Sequence, residues 1–441
     1  MSYYGIDLGT TYSLIGKGNK LLSGLVSSSV NVKEGKQCDR HEHGDDIVSS
    51  YKINMTMGQE GKLPIECSSV ILRELVNRAE RTDVDAVKPI KDIVVSVPAK
   101  FTHSQREAVC KAAEKAGLTI RGLINEPTAA AIYTCRDVKD LVVVYDLGGG
   151  TFDVSIVDSR AGSYYVLATD GRILAGDNFD EALAELVYKK AGVKVRFRLG
   201  ANHKIMLSKI RVAKETIQKT NRSYFIDMRE FGVSYDCELT VDEYVKCMKD
   251  TFAETIRVTN RVIDTSIGNL ESPKIIFVGG STACPYLKEW VCKETGLTPI
   301  ISNEQPDYIV AKGVALYAEM LESGKAEKEV EDVTKRLCIE NKYGQAITII
   351  AKNTNIPVEQ TLTVVNDIKS DSLSINLYQG DSILVSDNEY IGTLEYKYDC
   401  VKEEGEGLVE LILKVDRDGR IRLEGKDILT DISQHIDLVV R

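Results

Sequence analysis

Two hydrophobic patterns alternate along the first three-quarters of the chain. Short apolar runs at 92–97 (DIVVSV), 141–144 (LVVV) and 274–278 (KIIFV) read as buried strands, with shorter ones at 119–124 and 164–169. Between them, helical period marks 67–81, 103–117, 128–135, 179–190, 207–219, 241–266, 286–294 and 307–319. Ser68 or Ser69 is the expected N-cap of the first helix. Ser104, with Glu107 three residues on, is expected to cap the second, and Gly117 to end it. Pro127 falls in the first turn of the third. Strand and helix in alternation predict an α/β architecture. Past residue 323 the pattern changes. Residues 324–335 (GKAEKEVEDVTK) are charged and read as a linker. Beyond them apolar positions recur every second residue at 346–350, 361–365, 373–378, 408–414 and 420–423. Turn residues separate these runs, among them Asn353, Asn355, Gly380-Asp381 and Asp418-Gly419. That spacing predicts a small β-sandwich, and its lack of any catalytic or metal-binding constellation makes it a binding module.

The chemistry begins at YDLGGGTFD, residues 145–153. An apolar run, three glycines and the alternating stretch FDVSIVD (152–158) predict strand, tight turn, strand. A P-loop or Rossmann turn would open a helix instead. Gly148, Gly149 and Gly150 let backbone N–H groups converge on an anion. Asp146 at the strand end suits a hydrated magnesium ion better than a bare phosphate. Thr151 and Asp153 add a hydroxyl and a second carboxylate. A plain glycine hairpin with polar edges is the lesser reading of this stretch alone. The grammar returns at YGIDLGTTYS (4–13), with Asp7, Gly9, Thr10 and Thr11. Two such hairpins imply a duplicated unit whose cleft grips a magnesium nucleotide from both sides.

Composition narrows the classes. The 441 residues allow two or three domains. A net charge of −10 excludes nucleic acid and anionic membrane as main partners, since both need basic surface. No apolar run approaches the roughly 20 residues of a membrane helix. The ten cysteines form no C-x-x-C pair, and the N-terminus enters a strand directly; both predict a cytoplasmic protein with reduced thiols. The polar stretch 31–46 holds Cys38, His41 and His43 at a metal-like spacing, but no second ligand pair follows and it reads as a solvated loop. Lys52 carries no signal of its own. Glu126, between a strand and a helix, reads either as a ligand group or as compensation of the helix dipole.

With these segments in order, the chain resembles the Hsp70 chaperone family over nearly its whole length. GIDLGTTYS, VSVPAKFTHSQREA, INEPTAAAI, YDLGGGTFDVSI, LAGDNFD, VGGST and PDYIVAKGVAL carry the resemblance, followed by LCIENKYGQAITIIAKNTNIP and LYQGD. It implies a duplicated, two-lobed actin-like ATPase (1–323), a linker (324–336), an all-β peptide-binding sandwich (337–428) and a short tail (429–441). It implies ATP or ADP with Mg2+, and K+ as a further cation. Asp7 and Asp146 would hold magnesium through water. Lys52, Glu126, Thr151 and Asp153 would complete the hydrolysis site. Gly9, Thr10, Thr11, Tyr12 and Gly148–Thr151 would form the phosphate loops. Gly176, Asp177, Lys214, Gly279, Gly280, Ser281 and Asp307 would contact the rest of the nucleotide. Pro98 and Arg106 would relay nucleotide state, and Ile339, Leu373 and Ile375 would line the peptide site. Extended or unfolded polypeptides, a J-domain co-chaperone and an exchange factor are the implied partners.

The sequence also departs from the family. Glu215 and Ala283 stand where arginines would flank the base, and Gln218 replaces a serine. The region between Asp7 and Pro98 is shortened. Charge (331–336) replaces the leucine-rich linker. Lys342 and Asn366 replace apolar and small residues of the peptide cleft, and 433–441 is too short for a helical lid. Two functions follow as expectations. One is an ATP-driven, lidless chaperone for extended apolar segments. The alternative is a nucleotide-regulated interaction protein with one dedicated partner and weak coupling between domains.

Overall fold

A computed structural model describes residues 2–40, 42, 46–56, 59–136, 140–160, 164–266, 273–325, 336–352, 354, 356–416 and 421–437. The charged linker segment 326–335, His41 and His43, the turn residues Asn353, Asn355, Asp418 and Gly419, and the last four residues lie outside these. The chain divides into two compact units. One holds Met1–Ile53, Glu66–Ala99 and Lys115–Glu322; the other holds Asn54–Ile65, Lys100–Glu114 and Ser323–Arg441.

Two mixed sheets of like pairing organise the first unit. In one, Tyr12–Lys17 folds back antiparallel on Tyr4–Asp7, which runs parallel to Asp92–Val97 and so to Thr119–Asn125. In the other, Phe152–Asp158 folds back on Leu141–Leu147, which runs parallel to Lys274–Val278 and so to Thr298–Pro299. The hairpin, not a helix, follows each Asp-Leu-Gly turn, as the alternating pattern predicts. The central strands Asp92–Val97, Leu141–Leu147 and Lys274–Val278 are apolar runs buried over nearly their whole length. Helix Pro306–Glu322 lies so close to the first sheet that a Cβ on Gly5 would sit 2.4 Å from Ala315 N. The same helix meets helix Glu126–Thr134 backbone to backbone, where a Cβ on Gly313 would fall 1.8 Å from Ala129 O. Small residues at these crossings bring the N-termini of both helices, carrying Glu126 and Asp307, to the strand ends.

Strands Asp92–Val97 and Lys274–Val278 and helix Val241–Ser266 have the expected bounds. Two caps are corrected. The first long helix starts at Lys62, so Ser68 and Ser69 lie inside it, buried, and Ser69 donates back to Glu66 O. Pro64 is tolerated there because first-turn N–H groups have no intrahelical acceptor. The helix His103–Lys115 is capped by Thr102, not Ser104: Thr102 Oγ1 accepts from Gln105 N (3.4 Å) while Gln105 Oε1 accepts from Thr102 N (2.9 Å).

In the second unit, two four-stranded antiparallel sheets share one apolar core built on Ile339, Leu377, Tyr396, Leu411, Leu413 and Leu423. Three strands went unread in the sequence: Leu337–Glu340, the fourteen-residue Glu389–Lys402, and Ser433–Asp437. The last, expected as tail, pairs with Ile421–Asp427. All ten cysteines are free thiols. Among the described residues no helix is long and apolar enough to cross a membrane.

Candidate functional site

The turns of the two hairpins face each other. A Cβ on Gly149 would lie 1.9 Å from Thr11 Oγ1, and one on Gly150 would lie 2.9 Å from Thr10 Cγ2. Any side chain at these positions would drive the turns apart. Their carbonyls are taken: Gly148 O accepts from Gly176 N and Ser281 Oγ, Gly149 O from Asp177 N, and Thr11 O from Ser28 N. The N–H groups of Thr10, Thr11, Gly149 and Gly150 donate to no acceptor among the described residues. Thr11 Oγ1 is buried without a partner as well. Donors left open while acceptors are satisfied make an anion cradle. Gly9 and Gly148 act differently. Gly9 N donates to Ser13 Oγ at 3.1 Å and Gly148 N to Thr151 O at 3.1 Å, so both close their own turns.

Acids gather beneath the cradle. Asp146 and Asp153 stand opposite each other in the hairpin register. Asp7 accepts from Ser96 Oγ at 2.7 Å. Glu126 pairs with Lys52, Nζ to Oε1 at 2.7 Å, and the Lys52 side chain is only 5% exposed. The lysine that had no signal in the sequence is thus part of the cluster. Burial, then the Glu126 charge, pushes the Asp7 carboxyl up to about 6. Burial and the charges of Glu126, Asp153 and Asp7 raise Asp146 well above the usual range. Among the described residues no three such side chains converge closely enough to ligate a metal directly.

The remaining predicted residues ring the cradle. Gly279 continues strand Lys274–Val278 with φ +83°, and a Cβ there would meet Leu147 O at 2.5 Å and Asp146 Oδ1 at 2.7 Å. Gly280 backs onto Asp307, and Ser281 Oγ reaches Gly148 O at 2.8 Å. Lys214 is buried between Gly176 O (2.9 Å) and Asp180 Oδ1 (2.6 Å), and burial lowers its pKa. Asp177 is held by Arg40 at 3.0 Å and by Ser50 Oγ at 2.9 Å. Arg40 also lies over the Tyr12 ring, 5.8 Å from its centroid. Sequence reasoning missed Arg40, Ser50, Ser96 and the fully buried Asp180; a lone arginine in a polar loop has no period to announce it. Pro98 follows strand Asp92–Val97 directly, outside the cluster. Arg106, in the second unit, is buried and donates to Phe101 O at 3.2 Å. Ile339 and Ile375 are buried in the β-unit core, with Leu373 packed against it.

The Hsp70 protein family model matches residues 37–440. The chain belongs to the Hsp70 family. It is 31% identical over 376 residues to a chaperone protein HscA homolog of Burkholderia mallei, covering 83% of this chain and 60% of that one. It is 30% identical over 448 residues to the HscA homolog of Neisseria meningitidis, covering 98% of this chain and 71% of the relative. The chain therefore spans 60% of the length of the Burkholderia mallei relative it matches. Hsp70 membership bears out the resemblance drawn from the motifs. The family binds ATP or ADP with Mg2+, and the groups here fit that pair. Open N–H donors and the orphaned Thr11 hydroxyl suit phosphate oxygens. Asp7, Asp146, Asp153 and Glu126 against one lysine leave a negative excess that a divalent cation would offset.

Proposed function

We propose that the first unit is a duplicated, actin-like, magnesium-dependent ATPase and the second an extended-peptide binder under its control. The observation that carries this is the pair of facing glycine turns with their unclaimed N–H groups above the acidic cluster. Thr10, Thr11, Gly149 and Gly150 hold the phosphates, with Tyr12, Gly176, Asp177, Lys214 and the 279–281 turn around the rest of the nucleotide. Asp7 and Asp146 are the residues that would hold the cation through water, and such a cation would supply positive charge against the phosphates. Lys52 stabilises charge on the transferring phosphoryl group, and Glu126 fixes Lys52. Asp153 and Thr151 orient the attacking water. Positioning and fixed charge supply the catalysis, as phosphoryl transfer requires.

In the β-unit, Ile339, Leu373 and Ile375 supply apolar character for a peptide that otherwise binds through its backbone. Pro98 and Arg106 transmit nucleotide state. A J-domain co-chaperone and an exchange factor are the partners of such a cycle.

The test is calorimetry of ATP and ADP with and without Mg2+, with single-turnover hydrolysis alongside. Magnesium-dependent binding is expected, and Asp146→Asn lowers the hydrolysis rate about 100-fold or more. Binding indifferent to magnesium and to Asp146 would contradict the reading.

A further inference from the structure

The turn 341–345 joins strands Leu337–Glu340 and Ala346–Ile350, which pair with Ile339 opposite Ile347. Asn341 closes it. Its N–H donates to Gln345 O at 3.0 Å, and its Oδ1 accepts from Tyr343 N and Gln345 N, each at 2.9 Å. Strand Ser370–Gln379 runs alongside with Leu377 opposite Ile339, and the same register carried two residues on sets Ile375 level with Asn341. Ile339 and Ile375 therefore stand at the foot of this turn. Strand Ala346–Ile350 is the outer one of its sheet, so among the described residues no further strand steadies the turn from that side. Loop 380–388 does so instead: Ala346 N donates to Ile383 O at 2.8 Å and Val385 N to Gly344 O at 3.1 Å. Arg336 pins that loop. Its Nε donates to Gly380 O at 3.0 Å, its Nη2 to Ser382 O and its Nη1 to Thr348 Oγ1 at 3.2 Å. Gly380 N donates back to Arg336 O at 3.1 Å. Asn388 grips Ser382 from the other side, its Oδ1 accepting from Ser382 N at 3.0 Å and its Nδ2 donating to Ser382 O at 2.9 Å. Among the described residues Arg336 makes no ion pair, so it acts through its fork of N–H donors rather than through its charge.

We propose that Arg336 is a positioning residue for peptide binding: by pinning loop 380–388 it fixes the 341–345 turn beside Ile339 and Ile375 and slows peptide release. The inference rests on the peptide-binding reading above. An unbraced turn on an outer strand samples many conformers, and a peptide that selects one of them bears the cost of ordering it. A turn held by two backbone hydrogen bonds from a pinned loop has that ordering done before the peptide arrives. Differences of this kind between related complexes fall mainly on dissociation. Lysine does not replace arginine here, since a point-like ammonium cannot span three acceptors on two segments as a guanidinium does.

The experiment is fluorescence anisotropy of a labelled extended peptide with a central leucine run, on the full chain, on Arg336→Ala and on Arg336→Lys. Amide hydrogen exchange of the same proteins runs beside it. Each variant is expected to weaken peptide binding about tenfold, chiefly through faster dissociation. Exchange is expected to quicken at Ala346 and Val385, whose N–H groups make the brace, and to stay slow in strand Leu408–Val415 of the other sheet. Arg336→Lys keeps the aliphatic stem and the charge, so it tests the fork apart from packing. Affinity that both variants leave unchanged, or exchange that quickens equally in Leu408–Val415, overturns the inference and leaves the peptide reading standing. A native chain that binds no such peptide overturns both.

Discussion

Asp7 shows what a single carboxyl contributes. Its folded pKa of about 6 lies above the ordinary 3.8, raised by burial first and Glu126 second. A raised carboxyl stabilises the fold at low pH and loses that contribution as pH climbs through about 6. Above that pH the acids repel unless a cation is present, and the cation needs them ionised. The rise in melting temperature produced by Mg-ADP over ADP alone should therefore be full at pH 7.5 and shrink by pH 5.5. A gain that stays constant across that window would remove Asp7 from the cation site. Asn366 makes the matching case in the β-unit. It stands where the resemblance places a small cleft residue, yet it is 2% exposed. Its Oδ1 accepts from Gly407 N at 2.7 Å while Nδ2 donates to Glu403 O at 2.7 Å and Ile368 O at 2.8 Å. It ties two loops together. Asn366→Ala should cost about 1–3 kcal/mol, read from urea unfolding, because the loop groups lose their partners. No change in midpoint would show that the loops hold without it.

At the scale of elements, the facing turns carry the site, and their fit is steric. Gly149→Ala puts a Cβ where Thr11 Oγ1 stands, 1.9 Å away. Overpacking of this kind costs about 1–3 kcal/mol, so ATP affinity should fall about tenfold or more with secondary structure intact. Unchanged affinity would mean the turns do not grip the phosphates together. Both hairpins were legible in the sequence because each couples an apolar strand, a glycine turn and a β-branched return. The parallel strands were legible as continuous apolar runs. Glu389–Lys402 was not. Its buried positions fall at 391, 394, 396 and 398, so the alternation breaks once, and tyrosines stand among charges. The cap at Thr102 was hidden because Ser104 offered an equally good local pattern. Lys52 and Arg40 reach the site from far along the chain, through contacts that no short-range spacing encodes.

The whole molecule joins an acidic, glycine-cradled cleft to a β-unit of two sheets with its own core. Its sequence makes the chain up to 322 mixed α/β and the segment from Leu337 onward a β-sandwich through one change in hydrophobic period, from mixed to two. Hsp70 membership fits the succession proposed above, a nucleotide site placed before a binding module in one chain. The central claim is that nucleotide turnover and peptide binding are coupled. Coupling between two sites is reciprocal, and typical coupling energies of about 1–3 kcal/mol correspond to roughly 5–150-fold effects on affinity. Single-turnover ATP hydrolysis, measured with and without extended apolar peptides and with Lys52→Ala as control, tests it most directly. The account predicts that peptide accelerates hydrolysis about fivefold or more and that Lys52→Ala abolishes hydrolysis with or without peptide. Hydrolysis that proceeds at one rate whatever the peptide, or that survives Lys52→Ala, would contradict it.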